Sequence, residues 1–159
     1  MQFVTRQRGV AMVELAVITP LLVILLFGFI EIGRALIQTN MLTKAVNTGA
    51  RYIAREPDAV SASPHCTQDT EWAAAAAQAQ LMVAYSNGGT GNLILPGLDD
   101  GGAITSSTRA EFTGLIIVCV VRVTAQAQFD AVFGDSIVPF LNLGPIQINA
   151  AAEERYIGE

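Results

Sequence analysis

Three kinds of residue in this chain could do chemistry: a carboxylate in an apolar setting, a pair of cysteines and a lone histidine. Glu14 sits near the start of an apolar run, residues 10–30, which counts 21 residues. As a helix that run reaches about 31 Å, the thickness of a bilayer's hydrocarbon core. An ionised carboxylate held in hydrocarbon is costly, so an acid kept there calls for a partner or a purpose. Pairing with a cation is the chemistry it offers, and snorkelling to the headgroups is the structural alternative. Cys66 and Cys119 are the only two cysteines, and in an exported chain two cysteines most simply make one disulfide. That bond would close a loop of 53 residues, worth about 4 kcal/mol in the chain-entropy model. Two buried free thiols are the alternative. His65 is the only histidine, which rules out a multi-histidine metal site. It adjoins Cys66, but neighbouring residues project differently, no third group is placed to orient a Cys/His pair, and the cysteine would have to escape pairing. The chain has no G-x-S-x-G, P-loop, dinucleotide fingerprint or H-E-x-x-H, so neither catalysis nor a metal or other cofactor is expected.

The elements that must position these groups are bounded by composition. Of 159 residues, about 130 remain outside the apolar run and its leader, enough for one modest domain. Hydrophobic residues make up 52% and charged residues 14%, a skew that comes from the apolar run and the alanine-rich residues 73–77. The next apolar stretch, residues 115–121, is only seven long and ends at Arg122, so one membrane pass is expected. The net charge is −5, with a single lysine and no basic cluster beyond the leader, which argues against nucleic acid as a partner.

Ahead of the run, residues 1–9 carry Arg6 and Arg8 and no acid, the flank expected on the cytoplasmic side. Arg34 and Lys44 balance them beyond the run, so the orientation rests on the large cysteine-bearing part being the exported one. The run is longer than a secretory signal core and leads into Phe29-Ile30-Glu31-Ile32-Gly33-Arg34 without a small-x-small cleavage site, so the segment should stay in the mature protein.

A basic leader ending in Gly9, with Glu14 as the fifth residue past it, resembles the processing site of type IV prepilins. More narrowly, Arg8-Gly9-Val10-Ala11-Met12-Val13-Glu14-Leu15-Ala16, then Pro20-Leu21-Leu22, then Gly28-Phe29-Ile30-Glu31-Ile32-Gly33-Arg34-Ala35-Leu36 and Ala45-Val46-Asn47-Thr48-Gly49-Ala50-Arg51-Tyr52 are similar to the TadE-like pseudopilins of tight-adherence (Flp, type IVb-like) pilus systems. The resemblance is close over residues 6–55 and loose beyond them. It implies cleavage between Gly9 and Val10 by a prepilin peptidase, and a Glu14 carboxylate that pairs during assembly with the new amino terminus of a neighbouring subunit. It also implies other pilins and the inner-membrane assembly platform as partners, membrane lipid around the helix, and a bacterial inner-membrane location with a cytoplasmic amino terminus and a periplasmic domain. The implied role is that of a minor pilin or pseudopilin in surface adhesion. An uncleaved, membrane-anchored envelope binding module is the alternative from another class.

The pattern of residues predicts an α+β, pilin-like architecture. Residues 1–9 are read as leader, 10–30 as transmembrane helix, 31–56 as its exported continuation and 57–159 as the exported domain. Leu42, Val46, Gly49 and Ile53 recur on one helical face, with Lys44, Asn47, Arg51 and Arg55 opposite, so the helix is predicted to continue to Arg55, where Pro57 stops it. Two helices broken near Gly33 are the alternative. Pro20 could bend the span, and Gly28 and Gly33, five apart, form no small-xxx-small pattern. A second helix is predicted over residues 68–86, capped by Thr67 or Asp69, with Glu71 in its first turn, Asn87-Gly88-Gly89 as its stop and Trp72 as a packing residue. Residues 93–95 read as a short strand. Asp99-Asp100-Gly101-Gly102 reads as a turn flanked by strands rather than a calcium loop, since the spaced ligands and distal glutamate are missing. Alternation over residues 115–127 predicts the main strand, with Cys119 on its more apolar face. A disulfide there would tie the sheet to the start of the second helix. Residues 129–144 read as a long connection, and 146–151 as a strand antiparallel to the main one.

Overall fold

A computed structural model describes residues 4–61, 64–85, 91–100, 102–132 and 146–158. Helix α1 runs unbroken over Val4–Arg55, through Pro20 and Gly33, so the break near Gly33 does not occur. It also begins ahead of Val10, inside the leader. Its outer half presents the expected face: Leu42, Val46 and Ile53 are fully buried, joined by Ala50 and Ala54, while Lys44, Arg51 and Arg55 stay exposed. Pro57 follows the last turn, and Asp58 takes a left-handed φ of 55°, which a short polar side chain tolerates.

Helix α2 covers Trp72–Tyr85, four residues shorter at its start than predicted. Gln68 is already used in a bridge with Val60, and the Asp69 carbonyl accepts from Trp72 N–H at 3.1 Å before the first helical bond, Ala75 N–H to the Glu71 carbonyl at 3.0 Å. Neither Thr67 nor Asp69 acts as the side-chain cap. The predicted end at Ser86 and the stop at 87–89 lie outside the described residues. α2 packs on α1 where Gly49 leaves room: a Cβ there would stand 2.8 Å from Val83 Cγ2. Trp72 is buried in this core.

The sheet is a meander of β1 (Ile104–Thr113), β2 (Ile116–Gln128) and β3 (Gln147–Arg155), all antiparallel in the order β1-β2-β3. Val121 pairs with Thr108 and Glu154, and Val123 with Ser106 and Ala152, so β2 is central and its apolar side forms the core against α1. The strand predicted over 93–95 does not form; those residues are irregular and bend into the turn at 96–99, with Leu95 buried. Of the predicted turn, Asp100 closes it by accepting Ala103 N–H at 2.9 Å, a strand follows it only at Ile104, and Gly101 lies outside the described residues. The predicted connection falls largely on 133–145, which also lie outside them.

β2 runs antiparallel to α1. At its far end Tyr156 N–H reaches the Cys119 carbonyl and Ile157 N–H reaches the Ala54 carbonyl, both at 2.8 Å, and Tyr156 Oη donates to the Glu56 carbonyl at 2.9 Å. The bonds to Ala54 and Glu56 serve carbonyls at the end of α1, where intrahelical donors run out. Arg51 pairs with Glu154 at 2.9 Å. The near end of β2 arrives at Arg34, so the sheet lies along the outer half of α1 and leaves residues 10–26 exposed, with Phe27 and Gly28 half-buried.

Candidate functional site

Gly9, Val10 and Glu14 all lie on α1 and are exposed. Four residues apart, Val10 and Glu14 share a face, and with Gly9, Val13, Val17 and Ile18 they line one shallow apolar surface. Helical side chains lean toward the amino terminus, which brings the Glu14 carboxylate toward the level of the Val10 nitrogen. Among the residues described from Gly9 onward no cation lies within ion-pair distance of Glu14. The face can therefore accept a cation from outside the chain. From Gly9 onward α1 is long and apolar enough to cross a membrane, and no residue of its most apolar stretch is buried.

Cys66 and Cys119 are joined, with S–S 1.98 Å and Cα atoms 5.2 Å apart. Since α2 begins only at Trp72, the bond ties β2 to the loop between the helices rather than to the start of α2. Cys66 thus has no thiol for a Cys/His pair, and His65 beside it is exposed. Asp99 and Asp100 are exposed as well, and among the described residues no cluster of His, Cys, Asp or Glu could hold a metal ion.

A second polar constellation escaped the sequence reading. Glu31, one residue past the 10–30 run, is completely buried, and Gln38 nearly so. Glu31 Oε1 accepts Val132 N–H at 2.9 Å, and its Oε2 stands 3.9 Å from Arg34 Nε. Arg34 Nη2 donates to the Asp130 carbonyl at 2.8 Å and to its carboxylate at 3.3 Å. The Gln38 amide pairs with the Asp130 backbone both ways, donating at 2.8 Å and accepting at 3.0 Å. A signal for it does exist in the sequence. Stepping back from Ile53, Gly49, Val46 and Leu42 by helical spacings lands on Gln38, Ala35 and Glu31, so the acid lies on the buried stripe.

Compared with known proteins, residues 9–51 match the model of the TadE-like protein family. No curated protein and no solved structure matches the chain. The matched segment holds Gly9, Val10 and Glu14 together with Glu31, Arg34 and Gln38, whereas the partners of the last three, at 130–132, lie beyond it.

Proposed function

We propose that this protein is a pilus-associated membrane protein, a minor pilin or pseudopilin that works in the assembly of a tight-adherence pilus and hence in surface adhesion. In this reading residues 10–30 cross the bacterial inner membrane with the amino terminus in the cytoplasm, and 31–159 lie in the periplasm or enter the filament. A prepilin peptidase cuts between Gly9 and Val10, and the partners are other pilins and the assembly platform.

The observation that carries the reading is the placement of Glu14. It lies exposed on an apolar helix, beside the bond whose cleavage would create an ammonium group, inside the segment that matches TadE-like proteins. A carboxylate in hydrocarbon stays unfavourable until a cation meets it. A second subunit inserted at the same depth brings its Val10 ammonium to that level, so association supplies what the single chain lacks. Uncleaved, Val10 has only an amide, and the face loses its intended cation.

Replacing Glu14 with Gln, and scoring cleavage, membrane insertion and surface filaments separately, tests the reading. The expected result is normal insertion and cleavage with filaments reduced about tenfold or more, as loss of a charge pair out of water implies. Unchanged piliation would contradict an assembly role for the acid. A chain that keeps residues 1–9 in a host with an active prepilin peptidase would point instead to a tethered envelope binding module.

A further inference from the structure

We propose that Glu31, Arg34 and Gln38 form a clasp that locks the sheet to α1 where the helix leaves the membrane, so that the exported domain turns with its anchor. The proposal takes from the reading above only that residues 10–30 span the bilayer; it does not depend on a pilus.

The geometry is a two-point attachment. At the far end of α1 the sheet is held by Arg51 with Glu154, by Ile157 N–H on the Ala54 carbonyl and by Tyr156 on Glu56. Between there and the membrane lies the apolar core of Leu42, Val46 and Ile53. At the near end Phe129 is buried in the same core, with Ala35 and Ala131 packed against it. Beside them the buried stripe of α1 carries Gln38 and Glu31, and the chain leaving β2 supplies polar backbone groups at matching height. Gln38 holds both backbone groups of Asp130, Glu31 holds the amide of Val132, and Arg34 bridges the two by reaching Asp130 while standing against Glu31.

The choice of polar groups suits the position. An ionised acid one residue beyond the hydrocarbon would be costly if lipid touched it, and burying it against unpaired backbone would be costly too. Val132 N–H donates to the buried carboxylate, and bonds to a charged acceptor are stronger than neutral ones. Polar bonds also fix direction and register, which an apolar contact at this spot would not. Glu31 is therefore a positioning residue: it sets how the domain stands on the helix.

Amide hydrogen exchange on the full chain in detergent micelles tests the clasp. In Glu31→Ala the amides of Asp130 and Val132 should exchange about tenfold faster or more, while those of Val121 and Val123 in the core of β2 keep their rates. Gln38→Ala, which leaves the acid in place, should release Asp130 in the same way and covers the case in which the first variant fails to fold. Rates at Asp130 and Val132 within about twofold of the parent in both variants would overturn the clasp. Turning with the anchor is read separately, from nitroxides at Val17→Cys and Ser107→Cys, the native cysteines being bonded to each other. The distance distribution should be narrow in the parent and broad in Glu31→Ala. Equal widths would overturn the locking role. Neither readout depends on cleavage or piliation, so failure here and failure of the pilus reading are distinguishable.

Discussion

The two acids of α1 occupy the same helix under opposite conditions. Glu31 is sealed by its own chain, with an amide donor at 2.9 Å and an arginine beside it. Glu14, 17 residues earlier, is exposed on an apolar face without a cation from the residues described from Gly9 onward. The same contrast runs along the whole helix. Beyond Glu31 its apolar stripe is covered by α2 and the sheet, whereas before it Val10, Met12, Val13, Leu15 and Val17 are all exposed. One half of α1 finds its partners within the chain. In the proposed reading the other half finds them in lipid or in another subunit, and the distinction decides what a substitution in each half should affect.

The largest expected effect lies in the covered half. Replacing Cys66 and Cys119 with Ser removes the bond across 53 residues and should cost about 4 kcal/mol of stability, read as a lower midpoint in denaturant, with membrane insertion unchanged. Next come the glycines. Gly49→Val should destabilise the domain by about 1–3 kcal/mol through overpacking against Val83, while Gly28→Ala, where a Cβ meets nothing within 4 Å, should leave the monomer's unfolding midpoint unchanged. A loss of stability on Gly28→Ala would break the contrast. The smallest effect is at Tyr52, whose phenol is raised above 10.0 by burial first and then by the charge of Glu56 and a hydrogen bond to it. The neutral phenol is favoured in the fold, so stability should fall as pH rises from about 10 through the folded value, and Tyr52→Phe should flatten that fall. A slope that Tyr52→Phe leaves intact would remove Tyr52 as its source.

Much of this contrast is legible in the sequence because it is local. The spacing of Leu42, Val46, Gly49 and Ile53, closed by Pro57, fixes the outer half of α1, and alternation marks β2 and β3. β1 is harder to read because, past the buried Ile104, its core-facing positions are Ser106, Thr108 and Ala110. At the sheet's edge these are small and polar, and they leave no alternating apolar signal. The segment 93–95 misleads for the converse reason: its apolar residues pack on the core from irregular, bent backbone. The start of α2 shifts because Gln68 is taken by Val60, a pairing across the interhelix loop that helix propensity does not see. The Glu31 clasp joins residues 101 apart. Only the phase of the buried stripe hints at it, and that phase says that the acid is covered without saying by what.

The claim on which the account turns is that Glu14 meets the freed amino terminus of a neighbouring copy. Amino-terminal sequencing of the protein purified from piliated cells tests this most directly. The account predicts that the mature chain begins Val10-Ala11-Met12. A chain beginning at Met1 in the same cells would leave Glu14 without that cation and would contradict it.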